Sequence, residues 1–429
     1  MAPGLQWVAR PSRVRHPSMM TRRCCRPALL RLAVAALLLA VGCCAWWAAR
    51  HAGRIRVLQL SADEPEPSVF HALFPAAAGL PEAPTHRAHA VPHHLHQSWK
   101  TAAIPSVWAP YVRSWVKLHP RWSYTFYSDE ALQRFMAAEL PEFLGSFEAC
   151  DPICKADLSR LGLMYVFGGV YADMDFEALK AFDSLVDPPS PHEALLAKEP
   201  ELHARLLEGK NESFVCNALL VSRPGHPFWR HALERCAERI AKGNVGYGAA
   251  GPWAIARIWG QAPAAVKAGA TVLPEEVFYP QAALWNLPKM VEKCQSKTEQ
   301  AATTGNAPAC AQLEADYGIT QAVADEVMAL VRRKKAAKAE LKSGVLEMGL
   351  SGDSSSSVEA RAAKEKEVDN SRAGAARVAM AAGGEGGGGR FTEQTYAQHR
   401  WHCSWCNGVD ESETVAITEL VPAGMLTVY

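Results

Sequence analysis

The chain carries no Asp or Glu before Asp63, and its net charge over 429 residues is only +1. A near-zero balance removes the basic surplus that nucleic-acid binding requires, so nucleic acid is not expected among its partners. The missing acids leave the opening stretch purely basic, with Arg10, Arg13, Arg15, Arg22, Arg23, Arg26 and Arg31. Charge of either sign is then absent from Leu32 to Ala49, LAVAALLLAVGCCAWWAA. Extended by Pro27 to Leu30, with Arg31 snorkelling, this run is long enough to span a membrane. Trp46 and Trp47 fit an interfacial belt, and the basic flank predicts a cytosolic N-terminus. The expected order is a cytosolic tail (1–26), a transmembrane anchor (27–49) and a lumenal remainder. That describes a membrane-anchored, single-pass type II protein of the Golgi membrane. A cleaved signal peptide or a plastid transit peptide are the alternatives.

Residues 50–90 are rich in Pro, Ala and His and poor in periodic apolar positions, which suits a stem. Sustained apolar periodicity is also missing from 289–390, which contains SGDSSSS, AAKEKE and GGEGGGGR. That composition reads as a low-complexity, largely disordered insertion, with one candidate helix at 322–330. Twelve cysteines are present. Cys24 and Cys25 flank the expected span and suit palmitoylation; Cys43 and Cys44 fall inside it. Cys150, Cys154, Cys216, Cys236, Cys294, Cys310, Cys403 and Cys406 form an even set that suggests disulfides in an oxidising lumen. Asn211-Glu212-Ser213 is a glycosylation sequon under the same topology.

Between these segments the pattern is ordered. Strands are expected at Val91–Trp99, Arg121–Tyr127 and Phe214–Ser222, and helices at 106–118, 153–167 and 228–240. Ser128-Asp129 is a candidate cap, and Gly251-Pro252 opens another helix. Alternating elements predict an α/β layered catalytic domain over 91–288, completed by 391–429.

GGVYADMD, Gly168 to Asp175, places two carboxylates two residues apart after a buried-looking strand. Extended geometry would put Val170, Ala172 and Met174 on one face and Tyr171, Asp173 and Asp175 on the other. Like charges on one face repel unless a cation intervenes. Carboxylates are hard ligands for Mn²⁺ or Mg²⁺, which share coordination positions with phosphates, so a metal diphosphate is the expected partner. Asp157 and Arg160 are three apart on the preceding helix and would face the same cleft; a surface ion pair is the plainer reading.

HQSWK, KADLSRLGLMYVFGGVYADMD, NALLVSRPGHPF and HRWHCSW together resemble the DXD-type glycosyltransferases of family thirty-two. The likeness spans roughly Val91 to Tyr279 and the tail from Phe391. It implies a GT-A-like fold, a nucleotide-sugar donor such as GDP-mannose or UDP-galactose, a glycan or glycolipid acceptor, and retention at the anomeric carbon. On this resemblance Asp175 chelates the metal and Asp173 holds the metal shell and ribose. Asp157 and Arg160 bind the donor sugar, Asn217 lines the sugar or acceptor pocket, Tyr171 meets the nucleotide and Trp99 stacks on the base. Trp99 and Tyr171 also suit plain core packing.

The tail admits three readings. His399, His402, Cys403 and Cys406 could hold zinc, Cys403 and Cys406 could close a small disulfide loop, or the segment could follow the family's H-H-x-x-x-S-W pattern. In that pattern His399 completes the metal shell, Ser404 and Trp405 approach the leaving group, and Arg400 replaces a histidine and could pair with phosphate. Two other classes compete for the whole chain. A haloacid-dehalogenase-type phosphotransferase also uses Asp-x-Asp, but Glu177 stands where Thr or Val is usual. A non-catalytic glycan-binding relative would retain the fold alone.

Overall fold

The computed structural model describes residues 90–188, 190–210, 214–295, 306–348, 388–402 and 410–429, all within one unit, Pro65–Tyr429. The expected tail, anchor and most of the stem lie outside these residues, as do the sequon, Cys403, Ser404, Trp405 and Cys406. Among the described residues no helix is long and apolar enough to cross a membrane.

The architecture is mixed α/β, as the alternating pattern predicts. Seven strands form the main sheet: β1 (His94–Ser98), β3 (Ser123–Tyr127), β4 (Gly169–Ala172), β6 (Ala194–Lys198), β7 (Val215–Ser222), β8 (Ala270–Leu273) and β11 (Leu426–Val428). Their spatial order is β11-β3-β1-β4-β7-β6-β8, parallel throughout except for β7 against both its neighbours. From β1 the chain moves to β3 on one side, then returns to β4 on the other. The carboxyl ends of β1 and β4 therefore flank a point where strand order reverses, which is where open α/β sheets place ligands. Two short ribbons complete the fold: β2 (Ala103–Pro105) with β10 (Thr414–Ala416), and β5 (Phe176–Ala178) with β9 (Ala397–His399).

Side chains alternate between two cores. Tyr171, Leu196 and Leu220 pack with the helices on one face, including Leu158, Leu161, Phe228 and Trp229. Val170, Ala172 and Met174 share the opposite core with Trp115, Phe176 and Tyr279. The helix Pro152–Val166 opens where Asp151 accepts the Cys154 amide (2.8 Å) and Pro152 pre-sets the first turn. It is buried along most of its length, charged positions included. Ser128 caps the helix Asp129–Glu139 as expected.

Gly168 and Gly169 stop that helix and start β4 with φ values of 64° and 83°. A Cβ on Gly169 would meet the His94 carbonyl oxygen at 2.4 Å, inside the β1–β4 seam. Only glycine combines that left-handed backbone with so close an approach.

The segment read as a low-complexity insertion is only partly that. Helices Leu287–Gln295, Ala307–Tyr317 and Gln321–Met348 occupy much of it, and Leu287, Met290, Leu313, Tyr317 and Val327 close a third core over Leu202 and Leu206. Cys294 and Cys310 form a disulfide between the first two of these helices. The Tyr317 hydroxyl accepts the Ala282 amide (2.6 Å), and Arg390 pairs with Asp316 at 2.8 Å. Polar-rich sequence concealed a sparse apolar set that is shared with the main body. Cys150 and Cys154 form the other disulfide among the described residues, whereas Cys216 and Cys236 are free and buried, against the expectation of full pairing.

Two stability measurements follow. Gly169→Ala forces a strained φ and a backbone clash, and is expected to cost about 1–3 kcal/mol or more, read as a lowered denaturation midpoint. Replacing 297–390 by a short Gly/Ser linker is expected to lower the melting temperature by several degrees, since it strips buried Leu313, Tyr317 and Val327 from the third core. An unchanged midpoint in thermal scans would show that core to be dispensable.

Candidate functional site

β4 ends at Ala172, one residue short of the acid pair, so the two carboxylates do not sit on one continuous strand. Instead the chain turns: the Phe176 amide donates to the Asp173 carbonyl at 3.0 Å, and β5 begins. The turn, rather than strand alternation, brings the acids together. Donor atoms of Asp173, Asp175 and His399 all lie within 4.8 Å of one another.

Each carboxylate has its own protein cation. Arg160 grips Asp173 through both guanidinium nitrogens, at 3.1 Å to Oδ1 and 3.2 Å to Oδ2. The Tyr171 hydroxyl adds a donated bond to Asp173 Oδ1 at 2.9 Å. On the other side His399 Nε2 lies 3.2 Å from Asp175 Oδ1, and the His402 amide donates to Oδ2 at 2.9 Å. Burial pushes both carboxyls up. At Asp175 the opposing pull of His399 and the His402 amide wins, leaving it below the usual range; at Asp173 burial wins over Arg160 and the net is upward. For His399, burial acts downward, but Asp175 outweighs it and holds the imidazole above its ordinary value.

Asp157 and Asn217 complete the cluster. Asp157 is buried, 3.5 Å from Arg160, and accepts the Asn217 side-chain amide at 2.8 Å. Arg160 in turn donates to the Asn217 carbonyl at 3.1 Å. This is not the surface ion pair of the plainer reading: the Arg160 and Asp157 side chains are 9% and 6% exposed. Burial raises the Asp157 carboxyl to about 6 despite Arg160 and Asn217.

Thus Asp157, Arg160, Tyr171, Asp173 and Asn217 form one bonded group, and the Asp175–His399 pair stands beside it with its donor atoms within 4.8 Å of those of Asp173. Trp99 follows β1 at the same sheet edge, but its ring contacts are Trp108, edge-on at 4.5 Å, and the Lys100 ammonium at 4.9 Å. Tyr171 is buried and spends its hydroxyl on Asp173 and Ser98, so it orients the acid from within the core. Arg400, read as able to pair with phosphate, has its guanidinium on Glu177 (Nε–Oε2 2.9 Å), and its amide donates to the Asp175 carbonyl. The His402 ring turns to the Tyr111 hydroxyl at 3.1 Å and is not part of the donor cluster.

The donor set suits a divalent cation. Two carboxylates and an imidazole match Mn²⁺, and the carboxylates match Mg²⁺. His399 Nε2 is the ring nitrogen that faces Asp175, so a cation between the acids would meet that atom, and Nδ1 is buried without a hydrogen-bond partner among the described residues.

The raised Asp157 group makes a pH prediction. The folded chain binds the extra proton between about 4 and about 6, so ionising this buried carboxyl lowers stability as pH rises through that window. Asp157→Asn cannot ionise and keeps an acceptor for Asn217. Its melting temperature relative to wild type is expected to rise between pH 4 and pH 7; a flat difference in thermal scans would contradict the burial effect.

Residues 105–191 match the family described as the glycosyltransferase sugar-binding region containing a DXD motif. Inositol phosphoceramide mannosyltransferase 3 of Schizosaccharomyces pombe is 33% identical over 140 residues, covering 32% of this chain and 35% of that protein. The mannosyl phosphorylinositol ceramide synthase SUR1 of Saccharomyces cerevisiae is 31% identical over 186 residues, 42% and 44% of the two chains. The chain thus spans less than half the length of these relatives. Among solved structures, the PaToxG glycosyltransferase aligns at 15% identity over 52% of this chain and 86% of its own, with a TM-score of 0.32, too loose a likeness to bear on the fold. The sequence match includes the turn that holds the acid pair, and residues 105–191 are similar to the DXD-containing sugar-binding region of glycosyltransferases.

Proposed function

We propose that the protein is a metal-dependent, retaining glycosyltransferase with a GT-A-like fold, moving a hexose from a nucleotide-diphosphate sugar to a glycan or glycolipid acceptor. The observation that carries this reading is the convergence of Asp173, Asp175 and His399 donor atoms within 4.8 Å at the strand-order reversal. Relatives named as mannosyltransferases and as mannosyl phosphorylinositol ceramide synthases favour a mannose donor and an inositol-phosphate sphingolipid acceptor. The uncharged run Leu32–Ala49 supports a Golgi type II anchor that would hold the site near such a lipid.

Asp173, Asp175 and His399 would hold Mn²⁺ or Mg²⁺, which, when bound, supplies positive charge for the departing diphosphate. The protein's own part is orientation. Arg160 fixes Asp173, and Tyr171 fills a further lone pair of the same carboxylate, so the acid keeps one rotamer. Asp157, pinned by Asn217, presents a buried carboxyl able to accept from sugar hydroxyls. In the reaction the bond from anomeric carbon to diphosphate oxygen breaks and a bond to the acceptor oxygen forms on the same face. The acceptor proton passes to the leaving phosphate, so no side-chain nucleophile is required.

The test incubates the protein with a nucleotide-sugar panel and Mn²⁺, following released nucleotide. Asp175→Asn is expected to lower turnover on the order of 10²-fold or more and to weaken Mn²⁺ binding, with the melting temperature little changed. Wild-type turnover and Mn²⁺ affinity in that variant would refute the site; no release from any donor by the wild type would refute the activity.

A further inference from the structure

Asp175 is held by more than its histidine. The Arg400 amide donates to its carbonyl (2.8 Å) and the His402 amide to its Oδ2 (2.9 Å), while His399 meets Oδ1. Three of four consecutive residues, 399–402, thus close on one aspartate. Trp401 has φ 55°, the one positive value at a non-glycine position among the described residues.

The Trp401 ring is fixed on several sides. Its Nε1 donates to the Gln281 carbonyl at 2.6 Å, and it packs edge-on against His399 at 4.1 Å. His203 stands against it at 4.7 Å, also edge-on. His203 is itself locked: Nε2 accepts the Ala283 amide (2.9 Å), which puts the proton on Nδ1, facing Glu199 Oε2 at 3.1 Å. The neighbouring Leu202 and Leu206 belong to the third core, built largely from the helices of the 289–390 segment.

We propose that Trp401 is a positioning residue: its left-handed turn and pinned indole hold residues 399–402 as a clasp around Asp175, and His203 is the strut that keeps the clasp closed. Trp401 acts through His399 and Asp175, setting the separation of two of the three cation donors. The inference rests on the metal-site reading given above, and deepens it by naming what holds the third donor in place.

Binding of Mn²⁺ alone to the full chain, read by electron paramagnetic resonance of free and bound ion, tests the proposal without any need for turnover. Trp401→Gly retains a backbone free to adopt φ 55° and removes only the ring. Its Mn²⁺ affinity is expected to fall roughly 10–100-fold, as for other residues that orient metal ligands. Trp401→Phe keeps the wedge and is expected to restore most of that loss. His203→Ala should weaken Mn²⁺ about tenfold. Mn²⁺ should also quench a fluorescence component that is present in wild type and missing from Trp401→Phe. Wild-type affinity in a folded Trp401→Gly protein would overturn the proposal and leave the transferase reading standing. If that variant does not fold, unaltered affinity in His203→Ala overturns it instead. Absence of Mn²⁺ binding by the wild type would overturn both this proposal and the metal site.

Discussion

The arrangement turns on two carboxylates that must share a space of a few ångströms without driving each other apart. Two bare carboxylates with donor atoms within 4.8 Å would each raise the other's proton affinity. The fold answers by approaching from opposite sides. Arg160 comes from a helix packed in one core and His399 from a ribbon packed in the other, so each sheet face supplies one basic side chain to one acid. A bound divalent ion would displace any proton from His399 and carry the counter-charge for Asp175 itself. The acids are preorganised rather than assembled by the ion.

Much of the remaining structure serves that balance. Arg160 is buried, and a buried guanidinium is tolerable only when its charge is paired; Asp173, Asp157 and the Asn217 carbonyl meet its two terminal nitrogens, while Nε has no hydrogen-bond partner among the described residues. The Gly168–Gly169 junction lets the helix bearing Arg160 run straight into the strand that leads to Asp173, which keeps the two within side-chain reach. On the far side β5 and β9 pair Phe176 with His399, so ribbon register brings the imidazole beside Asp175, with the Trp401 ring packed against it.

The sequence made the helix–glycine–strand block legible because the local signals agreed: a continuous apolar surface, two glycines to stop the helix, and acids at the strand end. The alternation that put Val170, Ala172 and Met174 in one core was readable too. The turn at Asp173–Phe176 was not, since nothing in ADMDFE distinguishes a strand that continues from one that folds back. Arg400 looked like a phosphate ligand because its partner, Glu177, is reached only through the β5–β9 pairing. Trp401 carried no signal at all, because a left-handed backbone at a bulky residue is imposed by tertiary contacts and goes against local preference. The third core was hidden for a compositional reason: Leu313, Tyr317 and Val327 are spread thinly among charges, and their partners Leu202 and Leu206 lie a hundred residues upstream.

The β5–β9 ribbon has a consequence for the order in which the molecule comes into being. It joins Glu177 to Arg400 across a sequence separation of 223, among the longest closures in the fold. Such contacts form late, because loop-closure entropy must be met before they reward the chain. A chain emerging from the ribosome presents Asp173 and Asp175 long before His399 has been synthesised. Until then the second acid lacks its counter-charge, so the sheet can reach a near-native state in which cation binding is still immature. Completion of the donor cluster thus waits on the late pairing of β5 with β9.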